Sequence, residues 1–412
     1  MILRNAVKNL VTPTWTRPEL LGGGVSISTV AGKSVSTTNA MRIATYYRAL
    51  NLITDDLSMI PLQLINSETK KRVMPDFVRR NMAFAVEVQP NPYMIPFMLR
   101  KQFWVDVLTH GDGIQWSPVG TRMIINLDPA VTYAEKRADG NIWWISQDVE
   151  GRPMVMPDAE VKHVHINMKT PFKGRGVIEF ARETLGTRMA GNETKAGIFQ
   201  RGLMPSAIAE FDGDMNSDAR QKVRDSYWEA ARGSDGSGGV VVLDGKVRKF
   251  TLAEIKPVDA QFLESILAED VDIANFFALP LYKLNQGKQS YESNDQQDED
   301  YMRSTLDPYL VQDEQACRIK WLTGAEQSTS YWRYNRDAFL RMNSKARAVY
   351  LKDKILSGQM TPNEALAIDD QPGYTGGDFH FIPSNMAIIA DGKVTAISKP
   401  ETNSGDGSAN EK

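Results

Sequence analysis

The chain has 412 residues, which predicts two or three domains, and its 42% of hydrophobic residues is enough to build real cores. Its 24% of charged residues and net charge of −3 argue against a protein whose whole exterior clamps DNA, but leave a local basic or polar channel open. The single cysteine, Cys317, excludes an intrachain disulfide framework and fits a reducing cytoplasm, and no run approaches the roughly 20 apolar residues of a membrane span.

Residues 1–40 are rich in Gly, Ser, Thr and Val and are predicted to be a flexible N-terminal arm. A packed domain begins near Met41, where apolar residues at helical spacing predict a helix that Pro61 ends, and a strand follows directly. Another helix is predicted from Met98, and Gly111 stands where the C-cap of that helix is expected.

From there to about residue 170 the pattern changes to short strands, and Asp139 with Gly140 indicates a hairpin turn. A long helix is predicted over 177–201. The compact β-α-β-β unit that follows has a predicted strand at 206–211, a helix at 216–232 and strands at 240–244 and 248–255.

The stretch 257–322 is predicted to be a helix, a polar loop and a longer helix. Apolar residues recur at helical spacing from Pro257 to a stop at Pro280. The loop 283–298 has no aliphatic residue after Leu284, so it cannot bury a core, and loops of this length are usually functional.

The longer helix is predicted over 301–322, and Pro308 inside it predicts a kink because the apolar periodicity continues beyond it. The remaining predicted elements are a strand at 328–335, helices at 344–358 and 361–369, and a tail from 399 with a disordered composition.

Three short motifs suggest chemistry but lack residues that it needs. AGKS at 31–34 resembles a phosphate loop, yet Ile27 stands where the first glycine is required. His163 and His165 alternate on one strand, but no third metal ligand lies close in sequence, which favours a polar strand face. The acids at 295–300 lack the glycine of a calcium loop and fit a solvated helix start.

Cys317 lies on the apolar stripe of its helix, which predicts a core thiol rather than a nucleophile. We find no Ser-His-Asp order, no HExxH and no paired carboxylates that call for a catalytic explanation. The chain is therefore predicted not to be an enzyme and to need no cofactor or metal.

Several stretches resemble the portal proteins of tailed bacteriophages, of the type found in long-tailed phages with a lambdoid-style capsid. They run from about Met41 to Asp378 and include YRALNLITDDLSMIPLQLI, QPNPYMIPFMLRKQFWVDVLTHGDG and PVDAQFLESILAEDVDIANFFALPLYKL. The most specific are TLDPYL at 305–310 and ILSGQMTPNEALAIDDQPGYTGGD at 355–378. The family usually has Gly-x-Ser-Pro where this chain has GRGV at 174–177, which leaves the start of the first stem helix open.

The resemblance implies an α+β fold, the phage portal fold, with long helices and small β-rich units arranged as wing, stem, clip and crown. In chain order the parts are then the flexible N-terminal arm (1–40), the wing (41–175), stem helix 1 (176–202), the clip (203–256), stem helix 2 (257–282), the tunnel loop (283–298), the wing's spine helix and strand (299–339), the crown (340–398) and a disordered tail (399–412).

The resemblance also implies a function. Portal subunits form a dodecameric ring at one capsid vertex, and double-stranded DNA passes through it without sequence preference during packaging and ejection. The implied partners are the terminase large subunit, the head-tail connector and the major capsid protein, without a membrane. The implied location is the virion, with assembly in the host cytoplasm. The alternative is a DNA-processing enzyme, such as a nuclease, with an unrecognised site.

Three groups of candidate site residues follow from the resemblance. The polar side chains of the tunnel loop would touch DNA without gripping it; they are Gln286, Lys288, Gln289, Ser290, Asn294 and Gln296. The acids of stem helix 2 either line the channel or form the solvated face of an amphipathic helix; they are Glu264, Glu269, Asp270 and Asp272. The clip residues that would dock the terminase are Arg220, Arg224, Arg232 and Asp235.

Overall fold

The chain divides into two compact units, Met1–Phe339 and Leu340–Lys412. In the computed structural model the described residues are 27–78, 81–148, 151–200, 207–211, 217–218, 220–222, 225, 247–252, 269–284, 294–338, 344–368, 371–380, 387–390 and 393–396. The architecture combines long helices with small antiparallel sheets, so it is α+β as predicted.

The described helices of the first unit are, in chain order, α1 (Thr37–Ala40), α2 (Ala44–Met59), α3 (Met82–Glu87), α4 (Pro96–His110), α5 (Val177–Gln200), α6 (269–276), α7 (Asn294–Tyr301), α8 (Asp307–Trp321) and α9 (Gly324–Thr329). Short 3-10 turns occupy Asp158–Glu160, Leu281–Leu284 and Arg336–Ala338, and a π-helical turn occupies Met302–Leu306.

The described strands of the first unit are β1 (Ile27–Ser28), β2 (Ser34–Val35), β3 (Leu62–Asn66), β4 (Asp112–Trp116), β5 (Ile125–Leu127), β6 (Tyr133–Lys136), β7 (Ile142–Gln147), β8 (Pro153–Pro157), β9 (Val161–His165), β10 (Ala207–Phe211), β11 (Val247–Leu252) and β12 (Ser330–Tyr334). Two three-stranded sheets have the orders β5-β4-β9 and β6-β7-β8, and the pairs β1-β2, β10-β11 and β12-β3 are two-stranded. The described pairings are all antiparallel.

Two hydrophobic cores organise this unit. In the larger one α2 packs on α4, and α8 packs on β9 and β12, with Ile53, Trp104 and Leu310 fully buried. Leu62 of β3 lies opposite Tyr334 of β12, so two segments far apart in the sequence are joined by one sheet. The smaller core, shared by the two three-stranded sheets, contains Ile114, Leu127, Trp144, Met156 and Val161.

Most helices and strands lie where the sequence predicts them. Gly111 caps α4 in the left-handed conformation with φ 89°, and Gly140 turns the β6-β7 hairpin. The helix predicted from Met41 begins at Ala44, and the start of stem helix 1, which the sequence left open, is Val177.

The predicted N-terminal arm is wrong for residues 27–40. Strands β1 and β2 form a hairpin there, and Ser36 opens α1 with a capping box. The hairpin contacts α5, because the Val30 amide donates to the Glu183 carboxylate over 3.0 Å and Lys33 pairs with Glu193. A glycine- and serine-rich composition did not reveal these side-chain anchors, and residues 1–26 lie outside the described part of the chain.

The predicted tunnel loop, 283–298, is helical at both ends, so those two bounds are wrong. Residues 283–284 belong to the 3-10 turn Leu281–Leu284, and 294–298 belong to α7. Where a kink is predicted near Pro308, the helix has a π-helical turn at Met302–Leu306, and Pro308 then sits in the first turn of α8.

The predicted clip is described only in part. Strands β10 and β11 pair with Ala207 opposite Leu252, and the register shifts between Glu210 and Phe211. The residues at 217–218, 220–222 and 225 are helical, in agreement with the predicted helix. The predicted strand at 240–244 lies outside the described residues.

The second unit contains α10 (Ser344–Leu356), α11 (Pro362–Ile368) and a hairpin of β13 (Ala387–Ala390) with β14 (Lys393–Ala396). Its Asn363 side chain donates to the Tyr374 carbonyl over 3.1 Å and to the Asp378 carboxylate over 2.8 Å. The Tyr374 amide donates back to Asn363 over 2.9 Å. These bonds explain why the asparagine and the Gly-Gly-Asp run occur together in the most specific stretch of the sequence.

Candidate functional site

An ion pair and two tyrosines join the described ends of the predicted tunnel loop. The Lys283 ammonium lies 2.6 Å from the Asp298 carboxylate and 4.9 Å from the centre of the Tyr301 ring. The Tyr282 hydroxyl donates to the Gln297 carbonyl over 3.0 Å and to the Asp298 carboxylate over 3.2 Å. The two chain ends that flank residues 285–293 therefore contact each other.

The same two ends are bonded to α2. Arg48 donates to the Lys283 carbonyl over 3.0 Å, and the buried Tyr301 donates its hydroxyl to Asp56 over 3.0 Å. Burial raises the pKa of Asp56, and the Tyr301 hydrogen bond and the Lys283 charge oppose that rise. Sequence analysis missed this cluster because its partners are up to 245 positions apart.

Few of the predicted DNA and docking residues fall in the described part of the chain. Asn294 and Gln296 lie in α7 rather than in a loop, and Arg220 is exposed on the helical part of the clip. The others lie outside the described residues; they are Glu264, Gln286, Lys288, Gln289, Ser290, Arg224, Arg232 and Asp235.

For Asp270 the structure corrects the predicted channel-lining role. Its carboxylate is buried, accepts the Thr45 hydroxyl over 2.7 Å and lies 3.2 Å from the Arg188 guanidinium. Glu269 lies 3.8 Å from Arg188, and burial raises its pKa. Only Asp272 of these three is exposed, because the other two face α2 and α5 within the subunit.

A buried aspartate fixes the junction between the β5-β4-β9 sheet and the loop that precedes α5. Asp112 of β4 accepts from the Gly174 amide over 2.7 Å and lies 2.9 Å from both Lys173 and His163. Burial alone would raise the pKa of Asp112, but the His163 hydrogen bond and the Lys173 charge hold it below its ordinary value. The loop before Val177 is therefore held against the sheet.

Glycines at this junction let two backbone segments touch. A Cβ added to Gly111 would lie 2.4 Å from the Arg175 carbonyl carbon, and one added to Gly174 would lie 2.1 Å from the Gly111 carbonyl oxygen. The turn at Gly111 and the loop at Gly174 are therefore in direct backbone contact.

A second buried charge lies in the larger core. Lys162 of β9 is 2% exposed, and its ammonium lies 2.6 Å from Asp313 of α8 and 3.6 Å from the Cys317 sulfur. The Tyr334 hydroxyl donates to Asp313 over 2.6 Å. Burial raises the pKa of the Cys317 thiol, so the residue is a buried thiol, as predicted, and not a reactive thiolate.

The two strand histidines pack against each other. Their rings stack with centres 4.9 Å apart, and the His163 Nε2 atom is hydrogen-bonded to the Asp112 carboxylate. Within the described ranges, no cluster of three or more His, Cys, Asp or Glu residues has the geometry to hold a metal ion. Nor does any helix among the described residues have the length and apolar character to cross a membrane.

The family model described as phage portal protein matches residues 44–370. The chain therefore belongs to the phage portal protein family. The fold is that of the family, and the role of a DNA conduit at a capsid vertex follows from it.

Among curated relatives, the portal protein of Enterobacteria phage HK97 is 21% identical over 366 residues, which cover 87% of this chain and 85% of the relative. The probable portal protein of Streptomyces phage phiC31 is 20% identical over 392 residues, covering 88% and 82%.

Two solved structures share the fold. An HK97 family phage portal protein from Corynebacterium diphtheriae gives a TM-score of 0.56 at 16% identity, over 75% of this chain and 98% of that chain. A chain from the neck of an empty gene transfer agent (GTA) particle gives 0.56 at 17% identity, over 82% and 94%.

Proposed function

We propose that this chain assembles into a closed dodecameric ring at one capsid vertex and that double-stranded DNA passes through the ring during packaging and ejection. The observation that carries the proposal is the family match over 44–370, which spans nearly all of the described wing, stem and spine. A fold relative in the neck of a native GTA particle, computed with C12 symmetry, supports twelve subunits.

The polar composition of the tunnel loop suits sliding contacts. Each lysine or arginine that neutralises a phosphate adds affinity that strengthens as salt falls. Between residues 283 and 298 the cations are Lys283 and Lys288, and Lys283 is paired with Asp298. Contacts from glutamine, asparagine and serine, repeated around a ring, would hold DNA weakly.

The proposal assigns partners to the remaining parts. The terminase large subunit and later the head-tail connector dock on the clip, and the major capsid protein surrounds the ring. The protein is located in the virion and assembles in the host cytoplasm. It acts as a conduit and scaffold, and it needs neither catalysis nor a cofactor.

Native mass spectrometry and negative-stain imaging of the purified full chain test the ring. Twelve copies of a 46.1 kDa chain predict a closed ring of about 550 kDa. A protein that stays monomeric at high concentration, and forms no rings in phage-infected cells, would contradict the proposal. Nuclease activity of such a monomer on linear DNA would instead favour a DNA-processing enzyme.

A further inference from the structure

A small cavity lies in the larger core, where α4, β4, β9 and α8 meet. Its volume is about 20 Å³, counted as the space open to the centre of a water molecule. Apart from Pro96 and Arg100, the residues that line it are buried, and the ion pair of Lys162 with Asp313 is part of its wall. By this measure one water molecule needs about 10 to 15 Å³, so the cavity has room for one.

The wall of this cavity carries polar atoms that the protein itself does not satisfy. Among the described residues, four buried polar atoms of the lining side chains find no hydrogen-bond partner; they are Gln115 Oε1, Arg100 Nε, Trp104 Nε1 and Trp321 Nε1. The first is an acceptor, and the other three are N–H donors. An unpaired buried polar atom destabilises a fold, and in proteins such atoms ordinarily bond to ordered water.

The orientation of the Gln115 amide is set by its neighbours. Asn126 Nδ2 donates to the Leu99 carbonyl over 2.8 Å, which leaves Asn126 Oδ1 as an acceptor. Gln115 Nε2 donates to that oxygen over 2.8 Å. The unpaired end of the Gln115 amide is therefore its oxygen rather than its nitrogen, and a hydrogen-bond donor is needed to satisfy it.

We propose that this cavity is a binding site for one water molecule, which donates to Gln115 Oε1 and accepts from the unpaired N–H donors of the same wall. Water has two hydrogens and two lone pairs, so it can satisfy an acceptor and donors at once. A chloride ion would suit the donors and the positive charge of Arg100, but it has no hydrogen for Gln115 Oε1. The chemistry of the wall therefore selects water over an anion.

The water joins separate elements of the core. Gln115 lies in β4, Arg100 in α4 and Trp321 in α8, so polar groups from three elements share one solvent molecule. The same wall holds the Lys162 ammonium 2.6 Å from the Asp313 carboxylate, and a water dipole beside two buried charges strengthens their polar network. This site belongs to the fold of the subunit and is independent of DNA passage.

A crystal structure of the full-length protein, at a resolution that shows other buried waters, tests the site directly. The proposal predicts one density peak within about 2.7 to 3.2 Å of Gln115 Oε1 and of an N–H donor in the wall. An empty cavity in such a map would overturn the proposal. So would an anomalous peak at this position in crystals grown with bromide, because bromide replaces a chloride ion and not a water molecule.

Val86→Ile tests the same point in solution, because it adds one methyl group to a buried residue of the wall. With water bound, the methyl group displaces it and leaves Gln115 Oε1 unpaired, so the melting temperature should fall by about 3 °C or more. In a dry cavity the methyl group would fill empty space and raise the melting temperature, which would contradict the proposal.

Gln115→Met supplies the matched background, since it removes the acceptor and keeps a similar side-chain length. Val86→Ile should lower the melting temperature less in this background than in the parent, while the bond lost to Asn126 is common to both and cancels. Val177→Ile, at a buried valine outside the wall, measures overpacking alone and should give the same shift in both backgrounds. Equal shifts for Val86→Ile in both backgrounds would also overturn the water site.

Discussion

Lys162 is a buried charged residue whose environment its local sequence does not predict. A lysine in a strand that reads VKHVH would ordinarily point to water, yet this one lies between the rings of Phe103 and Trp321, 4.4 and 4.2 Å from their centres. Its partner Asp313 is 2% exposed and also binds Tyr334. Burying two charges is costly unless both are paired, so each depends on the other.

Replacing Lys162 with methionine should destabilise the first unit by about 3 to 5 kcal/mol, because Asp313 would remain buried without its cation. The double variant Lys162→Met, Asp313→Leu should recover part of that loss. Urea unfolding monitored by tryptophan fluorescence measures both effects.

The control for this prediction is Lys101→Met, since Lys101 pairs with Asp55 over 2.6 Å at a site where both side chains are partly exposed. That change should cost at most about 1 kcal/mol. Equal stability of Lys162→Met and the parent would show that the buried pair contributes nothing to the free energy of unfolding.

The sequence predicts whether a residue is buried where the helical spacing of apolar residues alone determines it. Cys317 was placed in the core correctly because it falls on an apolar stripe. Asp270 was placed on the channel side because acids on an amphipathic helix usually face water, and nothing local shows that Arg188 and Thr45 are its partners. Pairings between distant segments are properties of the fold, so the Lys162–Asp313 and Lys283–Asp298 pairs were also missed.

At the scale of elements, the turn at 111–113 and the loop at 174–176 act as one unit. Gly111 has a positive φ and also touches the Arg175 backbone, and Asp112 bonds to the same loop. The end of α4 and the beginning of α5 are thereby joined.

Gly111→Ala should therefore destabilise the protein more than Gly120→Ala. Both positions have a positive φ, 89° and 83°, and share the cost of about 1 to 2 kcal/mol for placing an alanine there. Only at Gly111 would the added Cβ meet backbone, while at Gly120 nothing lies within 4 Å. Thermal unfolding of the two variants compares them, and equal losses would mean that the close contact at the joint is unimportant.

Elements with strong caps and clear periodicity were predicted well, as α4, α5 and the β6-β7 hairpin show. The β1-β2 hairpin was not predicted, because its two-residue strands have too few side chains to show an alternation of apolar and polar residues. The start of α7 was missed for a related reason: its polar sequence has no helical stripe of apolar residues.

At the scale of the whole molecule, the composition excludes a strongly basic exterior, and the net charge of −3 agrees with a conduit that must release DNA as well as guide it. Family membership gives the architecture, which neither composition nor periodicity could supply. The parts that would face DNA and the terminase are assigned by resemblance. Among them, we expect added charge in the tunnel loop to change DNA packaging most.

Arginine at Gln286, Gln289, Ser290 and Gln296 would add four positive charges per subunit, repeated around the ring. Each new phosphate contact would contribute about 0.9 to the slope of log affinity against log salt. Packaging should slow at low salt and recover as salt rises. The free energy of unfolding should change by only about 0.5 kcal/mol, because the polar sequence of this stretch has almost nothing to bury. A control with arginine at Thr69, Gln147, Gln315 and Gln359, all exposed, adds the same charge outside residues 283–298.

Packaging of DNA into purified proheads at two salt concentrations, with the parent, the loop variant and the control compared, tests the conduit most directly. The account predicts a salt-dependent packaging defect in the loop variant alone, with rings and melting curves like those of the parent. A loop variant that assembles and packages DNA at low salt as fast as the parent would contradict it.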